Sequence, residues 1–451
     1  MNIHKFAVIA TALSLLLQTL PVRSATTAFV NVNVVPMTSE TVIKAQTVLV
    51  EGRKIVTIAG VDTVPIAEDT VVIDGTDRFL MPGLSEMHAH IPHVTSTSLE
   101  RVLGLNVANG VTVARGMLGR PEHLNLRQQI LIGRVLGPRL FTSGPSFNGN
   151  SVSSPQKAAE MVRAQHGAGY DFLKIHPGLT RAEFDALAST AKQFGIQFAG
   201  HVSVAVGVAR ALDAGMASID HLDGYMQAIV TDEASVSSGP PGFFGVLLAD
   251  RIDEKLITKI AVATAKAGVW NVPTESMFEH WVSETPVAEL REWPEMRFMP
   301  LGTIGQWTSS KLRILSDPAY DPAIAAKAIR LRRLLILALH EAGAGLLLGS
   351  DAPQVFNVPG FAVHRELEYL VASGLTPYEA LRTGTVNPAR FFRQHRVFGT
   401  VETGKDADLV LLDANPLIEI GNASRIHGVM LRGQWLSRED LDDILARFER
   451  Q

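Results

Sequence analysis

Leu80-Met81-Pro82-Gly83-Leu84-Ser85-Glu86-Met87-His88-Ala89-His90 is the stretch that decides how the rest of the chain is interpreted. Its Pro-Gly pair is a turn signal, and the apolar residues that follow predict a short strand. On a strand, residues i and i+2 project from the same face, so His88 and His90 are expected side by side. Two neutral imidazoles on one face can chelate a divalent metal, although a solvated strand can also carry such a pair.

The composition is that of a well-packed globular protein with no electrostatic affinity for nucleic acid. The chain has 451 residues, enough for one domain of about 300 residues and a smaller one. Hydrophobic residues make up 46% of the chain. The formal net charge is −4, so there is no excess of positive charge that would attract nucleic acid. The chain contains no cysteine, so any bound metal must have nitrogen and oxygen ligands.

Residues 1–24 have the features of a secretory signal peptide. Lys5 precedes the apolar run 6–17, Pro21 ends the run, and Val22 and Ser24 lie at positions −3 and −1 before Ala25. A membrane anchor is the alternative, but the run is short for a membrane span. We therefore expect an exported protein, periplasmic or secreted, that has no membrane contact after cleavage.

Both ends of the mature chain predict β-structure. Short β-branched runs and hairpin-type turns fill residues 28–77, and the same pattern returns at 407–412 and 426–435. We predict one small composite β-sandwich domain, with residues 25–80 as its first part. Residues 394–451 form its second part and include a C-terminal helix.

Between these ends, short apolar strands alternate with helical patterns. The expected strands are 84–90, 111–117, 140–143, 171–176, 196–202, 218–223, 269–274 and 346–351. The helical patterns lie at 99–108, 155–167, 181–194, 204–214, 257–267 and 330–342, the last of them after a long insertion at 277–329. Eight such repeats predict an α/β fold with a TIM (β/α)8 barrel over 81–393. An open doubly wound sheet is the alternative, but no Gly-x-Gly-x-x-Gly follows the first strand.

Metal-capable side chains end five of the predicted strands. In a TIM barrel, catalytic groups lie at the C-terminal ends of the strands. The residues at these ends are His88, His90, Lys174, His201, His221 and Asp351. Each alone has an ordinary explanation, such as a polar cap or a helix N-cap. Their convergence on one face of the barrel predicts a metal site instead.

Lys174 needs a separate argument, because an ammonium group is a poor neighbour for a cation. Burial beside metal charge favours the neutral amine. A neutral amine can add carbon dioxide to give a carbamate, whose two oxygens can bridge two metals. The alternative is a lysine paired with Asp171 or Asp351.

The motif set resembles the metal-dependent amidohydrolase superfamily, most closely its branch of imidazolonepropionase-like proteins and Xaa-Pro dipeptidases (prolidases). The resemblance covers nearly all of the mature chain. The motifs that carry it are Pro82-Gly83-Leu84, His88-Ala89-His90, Lys174, His201, Ser218-Ile219-Asp220-His221, Gly349-Ser350-Asp351-Ala352 and the tail segments 374–382, 385–390 and 404–410. This resemblance implies a distorted barrel with a small composite β-domain.

The resemblance also implies roles for the strand-end residues. His88 and His90 would hold the more buried metal, and Lys174, as a carbamate, would bridge to a second metal. His201 and His221 would hold the second metal. Asp351 would bind the first metal and transfer the catalytic proton. Two departures are Asp220, where relatives often carry glutamate, and Ser350, where threonine is common. Neither residue is an expected ligand.

These expectations define an exported hydrolase that cleaves a C–N amide bond of a small substrate by metal-activated hydroxide. Two divalent ions are expected, and zinc suits the donor set best, with manganese, iron and cobalt left open. The expected substrate is an Xaa-Pro dipeptide or an N-acyl amino acid. A cyclic amide, lactone or phosphoester is the alternative for the same site. Asp351 argues against a non-catalytic binding protein.

Substrate contacts are harder to predict, because specificity lies in loops that no motif fixes. Our candidates are Tyr225, His176, Arg115, Asn148 and His364. Arg115 would pair with a substrate carboxylate at the mouth of the barrel. The insertion at 277–329 forms either a lid or substrate wall or an ordinary packed helical layer. The homo-oligomeric state is left open.

Overall fold

The computed structural model describes residues 26–231 and 241–450. The signal-peptide prediction for residues 1–24 lies outside the described residues. Within the described ranges, no helix combines the length and the apolar character needed to cross a bilayer.

The described strands and helices are labelled in chain order. The strands are β1 (Thr26–Val34), β2 (Ile43–Glu51), β3 (Lys54–Gly60), β4 (Val71–Asp74), β5 (Phe79–Pro82), β6 (Leu84–Ala89), β7 (Val111–Gly116), β8 (Arg139–Thr142), β9 (Phe172–Ile175), β10 (Gln197–Gly200), β11 (Ser218–Asp220), β12 (Trp270–Val272), β13 (Leu409–Leu412), β14 (Ile426–Leu431) and β15 (Gln434–Leu436). The α-helices are α1 (Ser98–Ala108), α2 (His123–Leu131), α3 (Pro155–Ala168), α4 (Arg181–Phe194), α5 (Gly207–Asp213), α6 (Tyr225–Ala228), α7 (Lys255–Ala267), α8 (Glu275–Val282), α9 (Val287–Arg291), α10 (Leu301–Leu315), α11 (Pro322–Glu341), α12 (Phe361–Ala372), α13 (Pro377–Gly384), α14 (Val386–Phe391) and α15 (Arg438–Ala446). Segments of 3₁₀ helix span Phe243–Arg251, Pro294–Phe298 and Ile420–Ser424.

Strands from both chain ends form one eight-stranded sheet. Its order is β15-β14-β13-β5-β1-β2-β3, with β4 also paired to β1. The two ends meet where β5 pairs antiparallel with β13, with Leu80 opposite Leu411. Phe29 packs edge-on against Trp435, with ring centroids 5.3 Å apart. The β-rich ends therefore share one unit, while its division into two packed layers stays a prediction.

The middle of the chain contains parallel strands separated by helices. Strands β6-β7-β8 form one parallel sheet and β12-β11-β10-β9 form another. Four of the six expected helices have the predicted bounds to within two residues, whereas α5 is shorter than 204–214 and α11 begins at Pro322, eight residues before the predicted start, where Asp321 caps it. Thr180 and Glu183 form a reciprocal capping box at the start of α4, and Gly195 ends that helix in the left-handed conformation. The central region is therefore α/β, as predicted.

The eighth expected strand, residues 346–351, is not a regular strand. Leu346 makes an isolated parallel bridge to Asn271, and the amide of Leu347 donates to Asn271 O at 2.9 Å, but the amide of Leu348 donates away from β12, to Thr383 O at 2.9 Å. Gly349 lies so close to His88 and Val272 that a Cβ atom would overlap them, and Asp351 has a φ of 61°. This close packing and the left-handed residue interrupt the regular ladder.

Backbone contacts join the two parallel sheets. Ser143, just after β8, bridges to Phe172 in β9, and the bridge from Leu346 reaches β12. On the other side of the same segment, the amide of Met87 in β6 donates to Leu348 O at 2.8 Å. This neighbour order is the one that a TIM-like arrangement requires, and closure of a complete barrel stays a prediction.

The insertion at 277–329 is largely a packed helical layer. Trp307 is buried in a cluster with Phe298 and Phe356, the last of which follows the irregular eighth segment. Trp293 lies under the guanidinium of Arg365, 3.5 Å from the ring centroid. These two tryptophans therefore have ordinary packing roles, whereas Trp281 has a different environment, described below.

The junction between β5 and β6 gives a test of the fold. A methyl group on Gly83 would overlap the side chain of Thr112, while nothing lies within 4 Å of an ideal Cβ on Gly305 in α10. We expect Gly83→Ala to lower the free energy of unfolding by about 1–3 kcal/mol through overpacking. Gly305→Ala should raise it by up to about 1 kcal/mol because alanine favours helix. Urea unfolding midpoints measure both, and a shift of the same sign in both variants would contradict the packing described.

Candidate metal centre

The end of β6 is fixed by a buried carboxylate. Glu86 accepts hydrogen bonds from the amide of His88 at 2.8 Å and from the amide of Ser350 at 3.0 Å. It also accepts from the Ser350 hydroxyl. Burial raises the pKa of Glu86, and the bonds from Ser350 and His88 oppose that rise. Glu86 therefore ties the strand that carries His88 and His90 to the segment that carries Asp351.

Four of the expected ligands converge at this end of the parallel strands. Asp351 Oδ1 lies 2.8 Å from His90 Nε2 and 3.5 Å from His88 Nε2, and Asp351 Oδ2 lies 3.9 Å from His221 Nδ1. Ligand atoms of His88, His221 and Asp351 all lie within 4.8 Å of one another. Burial lowers the pKa of His88 and of His221 well below the usual value, so both imidazoles are neutral.

His201 extends the same cluster. Its ring centroid lies 4.6 Å from that of His221, which in turn lies 4.4 Å from that of His88. His201 Nδ1 lies 3.1 Å from Asp223 Oδ2, and His221 Nδ1 lies 2.9 Å from Thr274 Oγ1. Such partners fix the orientation of an imidazole and leave its Nε2 for a metal.

The backbone around these residues adopts conformations that are rare outside functional sites. Asp351, His221 and Thr274 have φ values of 61°, 62° and 49°. A non-glycine residue in this left-handed region costs about 1 kcal/mol or more. Three such residues around one cluster indicate that the fold holds their side chains in place against local preference.

Lys174 lies fully buried beside the histidines. Its Nζ is 3.7 Å from Asp220 Oδ2, too far for a hydrogen bond, and forms no hydrogen bond within the described ranges. Burial lowers its pKa to about 8. The sequence had offered Asp171 as one pairing alternative, but Asp171 pairs with Arg127 at 2.7 Å.

Asp220 is a site residue that sequence reasoning missed. Its Oδ2 lies 3.0 Å from His88 Nδ1, and its Oδ1 accepts from Arg115 at 3.0 Å and from the Ser218 hydroxyl at 2.8 Å. Burial alone would raise the pKa of Asp220, but Arg115 and Lys174 outweigh it and lower that pKa. The sequence did contain a signal for Asp220: the alternation Ser218-x-Asp220 on β11 places both side chains on one face of the strand, the face towards Lys174.

Arg115, our candidate for a substrate carboxylate, lies in this interior network. Its side chain is fully buried and donates to Met87 O at 2.6 Å, to Ser218 Oγ at 2.9 Å and to Asp220. The guanidinium also lies over the rings of Phe172 and Phe391. The structure thus places Arg115 in support of Asp220, and a substrate contact stays a prediction.

The other four candidates for substrate contact occupy different places. The Tyr225 hydroxyl is buried, donates to Asn271 Oδ1 at 2.8 Å and has a pKa raised by burial. His364 Nε2 lies 3.0 Å from Asn109 O, and burial lowers its pKa to about 4. Asn148 accepts from two amides of its own loop. His176 alone of these four stacks on a ligand histidine, with its ring centroid 5.2 Å from that of His201.

The donor set fits a divalent metal. It offers neutral imidazole nitrogens and carboxylate oxygens, the ligands that zinc prefers when thiolates are absent. Among the described residues, Asp351 Oδ1, His88 Nδ1 and Lys174 Nζ are buried without a well-formed hydrogen bond. Buried polar atoms without partners are rare. A cation beside Asp351 would satisfy its carboxylate, whereas His88 Nδ1 faces Asp220 Oδ2 at 3.0 Å, which leaves Nε2 as the atom that can bind a metal.

Comparison with known families agrees with this geometry. Residues 79–436 match the model of the amidohydrolase family. The chain belongs to the amidohydrolase family. The matched region begins at the first residue of β5 and ends at the last residue of β15. Amidohydrolases are generally metal-dependent, so the family and the cluster of histidines and aspartate point to the same chemistry, and the resemblance predicted from the motifs is confirmed.

Individual relatives share parts of this organisation. A 5-methylthioadenosine/S-adenosylhomocysteine deaminase of Caldanaerobacter subterraneus subsp. tengcongensis is 23% identical over 418 residues, 85% of this chain and 84% of the relative. An imidazolonepropionase of Thermoplasma volcanium is 35% identical over 105 residues, 21% of this chain and 25% of the relative. The crystal structure of a Xaa-Pro dipeptidase with methionine bound in its active site superposes with a TM-score of 0.67 at 20% identity, covering 92% of this chain and 100% of that structure. The structural likeness shows a TIM-barrel-like α/β fold.

Thr274 provides a test of how the cluster is oriented. Thr274→Val should remove the partner of His221 Nδ1 and weaken zinc binding by about 10–100-fold. Thr274→Ser keeps a hydroxyl and should bind zinc about as well as the original protein. Competition with a chromophoric chelator measures both affinities. Original affinity in the valine variant, or equal loss in both variants, would show that this hydroxyl does not position His221.

Proposed function

We propose that this protein is an exported hydrolase that cleaves the C–N amide bond of a small substrate at a centre of two divalent ions. The convergence of His88, His90, His201, His221 and Asp351 around buried Lys174 is the observation that carries the proposal. The metals would be held as the family motif implies, by His88, His90 and Asp351 on one side and by His201 and His221 on the other. Zinc is the proposed ion because the set contains only nitrogen and oxygen donors.

Bound divalent ions would lower the pKa of water towards neutrality and polarise an amide carbonyl. The protein's own task is to place and move the proton. Asp351 is near the ligand atoms of three histidines and remains 8% exposed, so it can meet both water and substrate. We assign it to accept the proton of the attacking water and to deliver it to the leaving nitrogen. The Glu86–Ser350 hydrogen bonds hold the segment that carries it.

Lys174 is proposed to react with carbon dioxide before it joins the centre. The neutral amine forms an N–C bond with carbon dioxide and releases a proton, which leaves an anionic carbamate. Full burial and a pKa lowered to about 8 favour the neutral amine that this step needs. The carbamate would face Asp220, 3.7 Å from the present Nζ, so it also needs nearby cations to offset the repulsion between two anions.

The finer assignments rest on likeness and on sequence. A dipeptide of Xaa-Pro type or an N-acyl amino acid is the proposed substrate, supported by the fold shared with the Xaa-Pro dipeptidase. A cyclic amide is the second candidate, supported by the imidazolonepropionase relative, whose similarity covers a fifth of this chain. The proposal also includes export, a closed distorted barrel over 81–393 and a composite sandwich from 25–80 and 394–451, and it leaves open whether the protein is a homo-oligomer.

A substrate panel tests this function. Zinc-reconstituted protein supplied with bicarbonate should hydrolyse at least one member of a panel of dipeptides, N-acyl amino acids, cyclic amides and lactones. Asp351→Asn should lower kcat on that substrate by about 10²–10⁴-fold because the proton acceptor is lost. Asp213→Asn, an exposed aspartate at the end of α5, is the matched control and should retain activity.

Failure of every amide would refute the proposed reaction. Turnover of lactones alone would favour the alternative given by the sequence, in which the same site hydrolyses a lactone. Unchanged kcat in Asp351→Asn would remove that residue from the proton transfer, and metal analysis of the variant separates this effect from loss of a ligand.

A further inference from the structure

Three aromatic side chains form a continuous row that begins beside the metal cluster. We call Phe243, Phe244 and Trp281 the aromatic wall. The ring of Phe244 lies 5.0 Å from that of His221 and 6.0 Å from that of His201, nearly parallel to the latter at 16°. Phe243 joins Phe244 at 4.5 Å and stacks on Trp281 at 4.7 Å and 19°. The aromatic wall therefore extends outward from His201 and His221, with Phe244 nearest to the two imidazoles and Trp281 farthest from them.

The backbone holds Phe244 there at an energetic cost. Its φ and ψ are 48° and 35°, and Gly242 and Gly245 on either side also have positive φ values. A left-handed phenylalanine costs about 1–2 kcal/mol. A Cβ on Gly245 would overlap Met226 of α6, so the second glycine also allows close packing. Residues in this conformation cluster where function requires a particular side-chain position.

The C-terminal end of this segment is anchored to the residues that follow α6. Thr231 N donates to Arg251 O at 3.0 Å, and Asp253 N donates to Ile229 O at 2.9 Å. These bonds attach the segment to the residues that follow His221 and α6. Trp281 lies on α8, the helix that begins directly after Thr274, the partner of His221. The wall thus joins the 3₁₀ segment to the helix that follows Thr274.

The wall lies on the accessible side of the cluster. The side chains of His201 and His90 are 14% and 22% exposed, whereas those of His88 and His221 are 1% exposed. A substrate that approaches the buried histidines on the side of His201 meets Phe244, whose ring lies 6.0 Å from that of His201. Arg115 cannot provide an anion contact at this point without giving up its present bonds, because its side chain is fully buried and each of its three nitrogens already donates inside the fold.

We propose that the aromatic wall is a subsite for a flat apolar group, such as an aryl ring, of the amide substrate. The inference rests on the proposed function and names the class of substrate that this face of the centre selects. An aryl ring can pack on Phe244 in an offset or edge-on arrangement and remove both surfaces from water. A methyl group in the same place buries much less area and gains correspondingly less.

Two hydroxamates test the subsite without any turnover. Benzohydroxamate and acetohydroxamate carry the same metal-chelating group and differ in phenyl against methyl. Calorimetry on zinc-loaded protein should show benzohydroxamate binding about tenfold tighter or more. Phe244→Ala should reduce that ratio to about one while leaving acetohydroxamate binding and zinc content unchanged. Phe244→Leu keeps an apolar side chain without the flat ring and should give an intermediate ratio.

The control is Phe194→Ala, at an exposed phenylalanine that ends α4, and it should keep the original ratio. An unchanged ratio in Phe244→Ala overturns the subsite, as does an equal loss of both hydroxamates, which would mean that Phe244 only supports the ligands. Binding of neither compound to zinc-loaded protein overturns the metal centre and the subsite together. If Phe244→Ala reduces the ratio of the two hydroxamate affinities to about one but the original protein hydrolyses no amide, the subsite is supported and only the proposed reaction is refuted.

Discussion

The structure of the centre depends on one buried carboxylate, that of Asp220. Side chains from β6, β7 and β9 contact it: His88, Arg115 and Lys174 respectively. A buried anion without partners would cost several kcal/mol, so the cations and hydrogen bonds around Asp220 are a condition of the fold. The same contacts fix the tilt of His88 and place the lysine amine beside it. Stability and ligand geometry therefore have a common origin in the interior of the parallel strands, and not in the loops above them.

Charge balance links this interior to the metal. Arg115 and Lys174 are the buried cations beside Asp220, and Glu86, Asp220 and Asp351 are buried acidic groups, whereas buried Arg332 is paired with Glu275. Conversion of Lys174 from an ammonium to a carbamate would leave Arg115 as the remaining cation of this set. Divalent ions would restore the balance, which explains why a lysine, a chemically unfavourable neighbour for a metal, can occupy this position. In this account, the ammonium form of Lys174 in the unloaded protein and the divalent ions in the loaded centre are two alternative ways to compensate the same anions.

The sequence predicted the strands and the ligands well because both follow short-range rules. His88 and His90 share a face through strand alternation, and seven of the eight expected central strands are observed among the described residues. The eighth failed because Gly349 packs against His88 and Val272, a contact between residues distant in the chain. Arg115 was predicted at the mouth of the barrel, but its position depends on Asp220 and Ser218, about a hundred residues away in sequence. Phe244 gave no signal at all, because its importance comes from the left-handed backbone that turns its ring towards His201.

The most direct test of the account is anomalous diffraction at the zinc edge, from crystals of zinc-loaded protein grown with bicarbonate. The account predicts two anomalous peaks, one beside His88, His90 and Asp351 and the other beside His201 and His221. It also predicts electron density for a carboxylate on the Nζ atom of Lys174, between the peaks. The absence of a peak at these residues, or a single ion beside an unmodified Lys174, would contradict the proposed two-metal centre.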